Sequence, residues 1–230
     1  MSDSARSYDV LLLDFGGVCL LTPFELHRHL ERVAGLGSNS ITWMGPYDPA
    51  SDDLWTELLL GTALDGSGPN GSALHEREYW SRRAEMIGTM IGRPLTTADY
   101  MRLLYEPARV ELVRPAAKVT VNAAQSVGIA VSVLTNDLRA FHGPKWEKSI
   151  QLLQAVDHIV DCSDTGILKP DPRAYQRALE VLGVSAGRVL FVDDQQLNVE
   201  GARALGIDSF HFDVTRPDDS WQQVRSHVGV

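Results

Sequence analysis

Two cysteines in 230 residues, Cys19 and Cys162, are too few for a disulfide framework, and a chain of this length buries enough surface to need none. Basic residues are also scarce: 21 lysines and arginines face 30 aspartates and glutamates, for a formal charge of -9. A nucleic-acid surface needs a basic face to neutralise phosphates, so this balance argues against a nucleic-acid partner. It leaves room for a small phosphorylated molecule, because one metal ion and one lysine reverse the field locally. No apolar run approaches the length of a membrane span. Met1 to Tyr8 are polar and the apolar run behind them stops at Asp14, so no secretory h-region is read and the expected setting is a reducing cytoplasm without a membrane partner. Internal repeats are absent, and nothing in the sequence speaks to oligomeric state.

What is present is a series of short apolar runs. Val10–Leu13, Ile129–Leu134, His158–Cys162, Val189–Val192 and Ser209–Phe212 read as buried strands. Helical patterns separate the later ones, at Pro115–Val127, Pro172–Leu182 and Leu197–Leu205. Asp171 and Pro172 suit an N-cap and first turn, and Gly206 suits a helix stop. Alternating strands and helices predict an α/β fold: a three-layer α/β/α, Rossmann-like core with a mainly parallel sheet.

The first two strands are too far apart for a simple crossover. Residues 22–107 read as an inserted helical domain, leaving 1–21 and 108–230 as the core. Thr22, Pro23 and Glu25 spell a capping box, and Leu26, Leu30 and Val33 continue it as a helical stripe. Further helices are expected at Asp52–Leu60, Ala73–Ile87 and Ala98–Tyr105, with a glycine-rich loop over Leu64–Ser72.

Chemistry-bearing residues fall where strands end. Asp14 ends the first strand, Thr135-Asn136 the second and Asp193-Asp194 the fourth, while Lys169 precedes Pro170-Asp171 just before a helix. In open α/β sheets the ligand site lies outside the carboxyl ends of the strands. Three carboxylates converging there repel one another, and a hard divalent cation with oxygen ligands resolves the conflict. A lysine and a hydroxyl then suit phosphate oxygens.

Four motifs in this order resemble the haloacid dehalogenase superfamily over almost the whole chain: Leu11-Leu12-Leu13-Asp14-Phe15-Gly16-Gly17-Val18; Val133-Leu134-Thr135-Asn136; Lys169-Pro170-Asp171-Pro172; and Val192-Asp193-Asp194 with Asn198, Gly201 and Ala202. The insertion resembles that family's helical C1 cap. The resemblance implies a magnesium-dependent phosphatase acting on a small phosphorylated metabolite. In it, Asp14 attacks phosphorus and becomes an aspartyl phosphate. Mg2+ is held by Asp14, the Gly16 carbonyl and Asp194, with Asp193 in or near its shell. Phe15, Gly16, Thr135, Asn136 and Lys169 bind the phosphate, and Thr135 and Lys169 also offset charge on the transferring phosphoryl group.

The sequence departs from the pattern at Gly16, where the family's phosphatases usually carry a second aspartate as general acid and base. That help is typically worth about 10²–10⁴-fold in rate, so its loss shifts substrates toward better leaving groups without abolishing catalysis. Asp-x-Gly-x-Val resembles a branch related to the N-terminal domain of soluble epoxide hydrolase and to some sugar 1-phosphate phosphatases. Two alternatives remain: a metal-independent 2-haloacid dehalogenase and a catalytically weak member that binds a phosphorylated ligand for regulation. Dehalogenases of the family typically have tyrosine in place of Gly16 and serine in the acidic pair.

Other signals read as structural. Gly66-Ser67-Gly68-Pro69-Asn70-Gly71 spells a dinucleotide fingerprint but follows no strand, which makes it a linker. His27 and His29, two apart on a helix, do not make a metal pair. Cys19 reads as a small buried residue, and Trp43, Trp55, Tyr79 and Trp80 read as core, with one or two at the pocket mouth.

Overall fold

The computed structural model describes residues 8–64, 71–106 and 111–230, so 65–70, the centre of the expected glycine-rich loop, lies outside the described residues. Five strands, β1 (Val10–Leu13), β2 (Ala130–Thr135), β3 (His158–Asp161), β4 (Val189–Asp193) and β5 (Asp208–His211), form one sheet in the order β3-β2-β1-β4-β5. All four pairings are parallel. Expected and observed strand bounds differ by one residue at most ends.

Alternation along each strand sends neighbouring side chains to opposite faces. Leu11 and Leu13 join one cluster with α5 (Pro115–Ser126) and α11 (Pro217–Val228), through Val121, Trp221 and Val224. Val10 and Leu12 join the other with α9 (Pro172–Leu182) and α10 (Gln196–Arg203), through Tyr175, Ala178 and Ala202. Burial on both faces explains why β1 reads as unbroken Val-Leu-Leu-Leu. At burial energies of about 1.5–3 kcal/mol per large apolar side chain, these two layers dominate the stability of the core.

Between β1 and β2 lie α1 (His27–Ala34), α2 (Asp53–Leu64), α3 (Gly71–Met90) and α4 (Thr97–Leu104). The chain enters and leaves this helical segment side by side: Leu20 and Val113 form an antiparallel bridge, and the Leu21 N–H donates to Leu112 O at 2.9 Å. Arg114 locks the crossing. Its guanidinium donates to both Glu25 oxygens at 2.9 and 2.7 Å, and its Nε donates to Gly17 O at 3.0 Å.

The first helix starts later than its capping box predicts. The Thr22–Glu25 capping bonds form, with Thr22 N–H donating to Glu25 Oε2 at 2.7 Å. The turn they cap is tight, however: Leu26 N–H bonds Pro23 O and His27 N–H bonds Phe24 O, so α-helix begins only at His27. The helical segment has its own buried ion pair. Asp52 faces Arg83 and also accepts from Tyr79 Oη at 2.7 Å and Trp55 N–H at 2.8 Å, while Arg83 stacks 4.4 Å over the Trp43 ring. Trp43, Tyr79 and Trp80 are buried there as core.

Three helices between β2 and β3 lie outside the sequence expectations: α6 (Leu138–His142), α7 (Pro144–Ser149) and α8 (Gln151–Ala155). Each has at most six residues, too few turns for an apolar stripe to repeat. No helix among the described residues is long and apolar enough to cross a membrane.

Candidate active site

Register creates the site. Leu13 pairs with Val133 on one side and Val192 on the other, so Asp14 emerges level with Leu134 and Asp193. β1 connects onward to β2 while β4 connects to β5 on the opposite side, which makes the β1/β4 boundary the switch point of the sheet. Asp14 and the Asp193-Asp194 pair occupy that boundary.

Lys169 joins them. A lone lysine is ordinarily solvated, but this one is 1 % exposed. Its Nζ donates to Asp14 Oδ1 at 2.6 Å, Asp193 Oδ2 at 2.7 Å and Leu134 O at 3.0 Å, which uses all three ammonium protons. Burial alone lowers the Lys169 pKa, but Asp14 and Asp193 outweigh it and hold the ammonium protonated. Asn136 secures the backbone beneath: its Oδ1 accepts from Lys169 N at 2.8 Å and its Nδ2 donates to Lys169 O at 3.2 Å. The Asn136 amide, expected at the phosphate, is thus engaged with the lysine loop at both ends. Gly201 on α10 packs against the same loop, where a Cβ would lie 2.9 Å from Pro170 O.

The acidic pair divides its labour. Asp193 is fully buried, and its Oδ1 accepts from Gln195 N at 2.8 Å and Asn198 Nδ2 at 3.1 Å. With Oδ2 held by Lys169 and Asn198, both Asp193 oxygens are engaged. Asp194 instead lines the cavity in front of Asp14. Burial, then Asp193 and Asp14, push the Asp194 carboxyl well above the usual range. Burial likewise pushes Asp14 up to about 7, against the opposing pull of Lys169.

Ligand atoms of Asp14, Asp193 and Asp194 lie within 4.8 Å of one another, the one such cluster among the described residues. Three carboxylates and one ammonium leave a formal surplus of two negative charges when all are ionised. Hard oxygen donors with that surplus fit a divalent cation such as magnesium. Of these, Asp14 and Asp194 line the cavity, as does Gly16, and they are the residues that could hold such an ion.

The adjacent glycines have different demands. Gly16 has an ordinary φ of −67°, and a Cβ there would meet nothing nearer than Asp14 Oδ2 at 3.9 Å. Gly17 has φ +69°, and a Cβ there would overlap Asp194 Oδ2. The backbone constraint at this loop therefore belongs to Gly17, not to the position where the aspartate is missing.

A cavity of about 570 Å³ opens in front of Asp14, Thr135, Lys169 and Asp194. Phe15 also lines it, and its ring is buried edge-on to Trp146 with centroids 6.3 Å apart. Phe24, Trp55, Trp80, Met101, Tyr105 and Phe141 make the more distant walls apolar. His27 and His29 are buried away from this lining, and burial lowers the His27 imidazole to about 4, so it is neutral. Cys19 is fully buried, and burial pushes its thiol far up, which removes it as a nucleophile.

Comparison with known proteins places the chain in a family. The sequence profile of haloacid dehalogenase-like hydrolases matches residues 8–206. The chain belongs to that family and is a hydrolase of its α/β fold. It is 37% identical over 210 residues to phosphatase MT3486 of Mycobacterium tuberculosis, covering 90% of this chain and 88% of that one. It is also 28% identical over 169 residues to (S)-2-haloacid dehalogenase 1 of Pseudomonas sp. strain CBS-3, covering 72% and 68%. The structure of the HAD hydrolase YfnB of Bacillus subtilis, bound to magnesium, superposes with a TM-score of 0.66 at 16% identity, over 98% of this chain and all of that one, and so shares the fold.

Proposed function

We propose that this hydrolase is a magnesium-dependent phosphatase that cleaves a small organic phosphomonoester through an aspartyl phosphate on Asp14. The observation that carries the reading is the set of three carboxylates around one buried lysine, with Asp14 and Asp194 at the cavity wall. Displacement at carbon needs a carboxylate nucleophile but no surplus of acidic groups beside it; phosphoryl transfer needs a site that concentrates positive charge on phosphate oxygens. Magnesium would neutralise the acidic set and draw charge from those oxygens.

The chain's own residues do the rest. Asp14 is buried and held at Oδ1 by Lys169, so its carboxylate meets phosphorus in a fixed orientation. Lys169 adds positive charge beside the reacting group, and Asp193, Asn198 and Asn136 fix the lysine. Thr135, at the end of β2, offers a hydroxyl to phosphate oxygens at the cavity wall. Residues 22–107 act as a cap whose aromatic side chains receive the organic portion of the ester and exclude water.

The test measures turnover of an aryl phosphate with magnesium and with chelator, beside halide release from a 2-haloacid. The reading requires phosphate release that stops in chelator. Halide release with full activity in chelator would establish the dehalogenase instead, and phosphate binding without turnover would favour a regulatory binding protein.

A further inference from the structure

Gly16 leaves a chemical vacancy: an ester oxygen departing from phosphorus carries a developing negative charge and needs a proton unless it is already a good leaving group. Glu76, on α3, lines the same cavity as Asp14. Its Oε1 accepts from Trp80 Nε1 at 3.1 Å, one helical turn along, and its Oε2 accepts from Gln195 Nε2 at 2.6 Å. Gln195 in turn donates its backbone N–H to Asp193 Oδ1, so the Glu76 carboxyl is tied to the loop that carries the acidic pair. Both partners are neutral N–H groups, and each carboxyl oxygen keeps a second lone pair for a proton.

Of the other titratable groups lining the cavity, Asp137, Asp213, His142 and Tyr105 are engaged elsewhere, the Tyr105 hydroxyl with Leu21 O at 2.9 Å. Asp137 is paired with Arg77. Asp213 accepts from the Thr215 N–H and hydroxyl at 2.9 and 2.6 Å, which hold its carboxyl below the usual range. His142 stacks on Trp146 at 4.1 Å, and burial lowers its imidazole to about 3, so it has no proton to give at neutral pH. A ring nitrogen of His211 is 3.0 Å from the backbone carbonyl of Asp194.

We infer that Glu76 is the general acid and base of this site, supplied by the helical insertion in place of the aspartate absent at Gly16. The inference rests on the phosphatase reading above. As an Asp14 oxygen bonds to phosphorus, the phosphorus–ester oxygen bond breaks and its electron pair goes to the leaving oxygen, which takes the Glu76 proton and departs as an alcohol. The Glu76 carboxylate then takes a proton from the water that attacks phosphorus. The Asp14–phosphorus bond breaks with its pair returning to the carboxylate, and inorganic phosphate leaves with Glu76 protonated again. Burial comes first in raising the Glu76 pKa; hydrogen bonds from Gln195 and Trp80 oppose it, and the charges of Asp137 and Asp193 add to it. A carboxyl so shifted holds a proton more readily at the operating pH.

The test is a leaving-group series on the full chain with magnesium, running from nitrophenyl through phenyl to simple alkyl phosphates. Glu76→Gln should lower kcat/KM on alkyl phosphates by about 10²–10⁴-fold and on nitrophenyl phosphate far less, steepening the dependence on leaving-group pKa. Glu76→Ala should show the same steepening, with formate restoring part of the alkyl phosphate rate. Equal losses along the series, or none, with formate inert, would overturn the role and leave Glu76 as a tie between α3 and the Gln195 loop. Absence of turnover by the wild-type protein on every ester would overturn the phosphatase reading itself, and this role with it.

Discussion

Replacing Gly17 with alanine should damage this protein, while the same change one residue earlier should not. Gly17 has φ +69°, in the left-handed region, and its hypothetical Cβ overlaps Asp194 Oδ2, sits 3.0 Å from Asp194 Cγ and 3.4 Å from Val214 Cγ1. The left-handed backbone costs a non-glycine residue about 1–2 kcal/mol, and forcing an extra methyl into a packed site costs about 1–3 kcal/mol more. Together they give about 2–5 kcal/mol for Gly17→Ala, or about 4–20 °C in the thermal midpoint for a chain of this size. The clash also displaces Asp194, so magnesium affinity and turnover should fall more than stability alone explains. Gly16, at φ −67° and ψ 137° with open space around its Cα, accepts alanine without strain. Gly16→Ala should leave the midpoint unchanged or raise it by up to about 1 kcal/mol equivalent, through the less flexible unfolded chain. Differential scanning fluorimetry and magnesium titration on the two variants settle the matter. A Gly17→Ala protein as stable and as metal-competent as the wild type would refute the assignment of the constraint to this loop.

Lys169→Met should remove turnover and lower stability by about 3–5 kcal/mol, because it leaves buried Asp14 and Asp193 without their counter-charge; an unchanged melting curve in chelator would contradict the buried pairing. Asp14→Asn should abolish turnover and keep the fold, and it should also change the pH dependence of the metal-free protein. Because burial raises Asp14 in the folded state from 3.8 to about 7, its contribution is fully present below pH 3.8 and is lost as pH rises through about 7. The thermal midpoint of Asp14→Asn relative to wild type in chelator should therefore climb between those values, and a flat difference would count against the raised carboxyl. Gly16→Asp should flatten the leaving-group dependence measured on phosphate esters and restore alkyl phosphate turnover to a Glu76→Gln background; a double variant no better than Glu76→Gln would show that position 16 cannot deliver a proton.

The parts of the site that sequence makes legible are those fixed by strand chemistry. An acid at the end of a buried apolar run can only emerge at the edge of the sheet, so Asp14 and Asp193 declare their places from local context, and parallel register then sets them side by side. The Pro170-Asp171-Pro172 run announces a loop and a helix start, which places Lys169 at the same edge. Long-range pairing is the part that sequence hides. Arg114 precedes Pro115 like any residue ahead of a helix, and only the folded chain shows its fork on Glu25, 89 residues away. Glu76 lies in His75-Glu76-Arg77-Glu78, where alternating charge resembles an ordinary solvated helix face; its distinction comes from Gln195, 119 residues on. The helix α11 had a readable signal in Pro217, the acidic Asp218 and Asp219, and the spacing of Trp221, Val224 and Val228.

The Asp193-Asp194 pair shows why residue type and position are not yet role. Two adjacent carboxylates at a strand end read as equivalent metal ligands, but successive residues at the end of β4 leave in different directions. Asp193 turns inward, where Lys169, Asn198 and the Gln195 N–H engage both of its oxygens. Such a carboxylate has little left to offer a cation and much to offer a lysine that must remain charged and stationary while fully buried. Asp194 turns toward the cavity, beside the Gly17 backbone that leaves room for it. The same acidic dipeptide thus supplies an anchor for the lysine and a cavity-facing carboxylate. Neutralising Asp193 should therefore loosen Lys169 as its first effect, whereas neutralising Asp194 should act first on the cation.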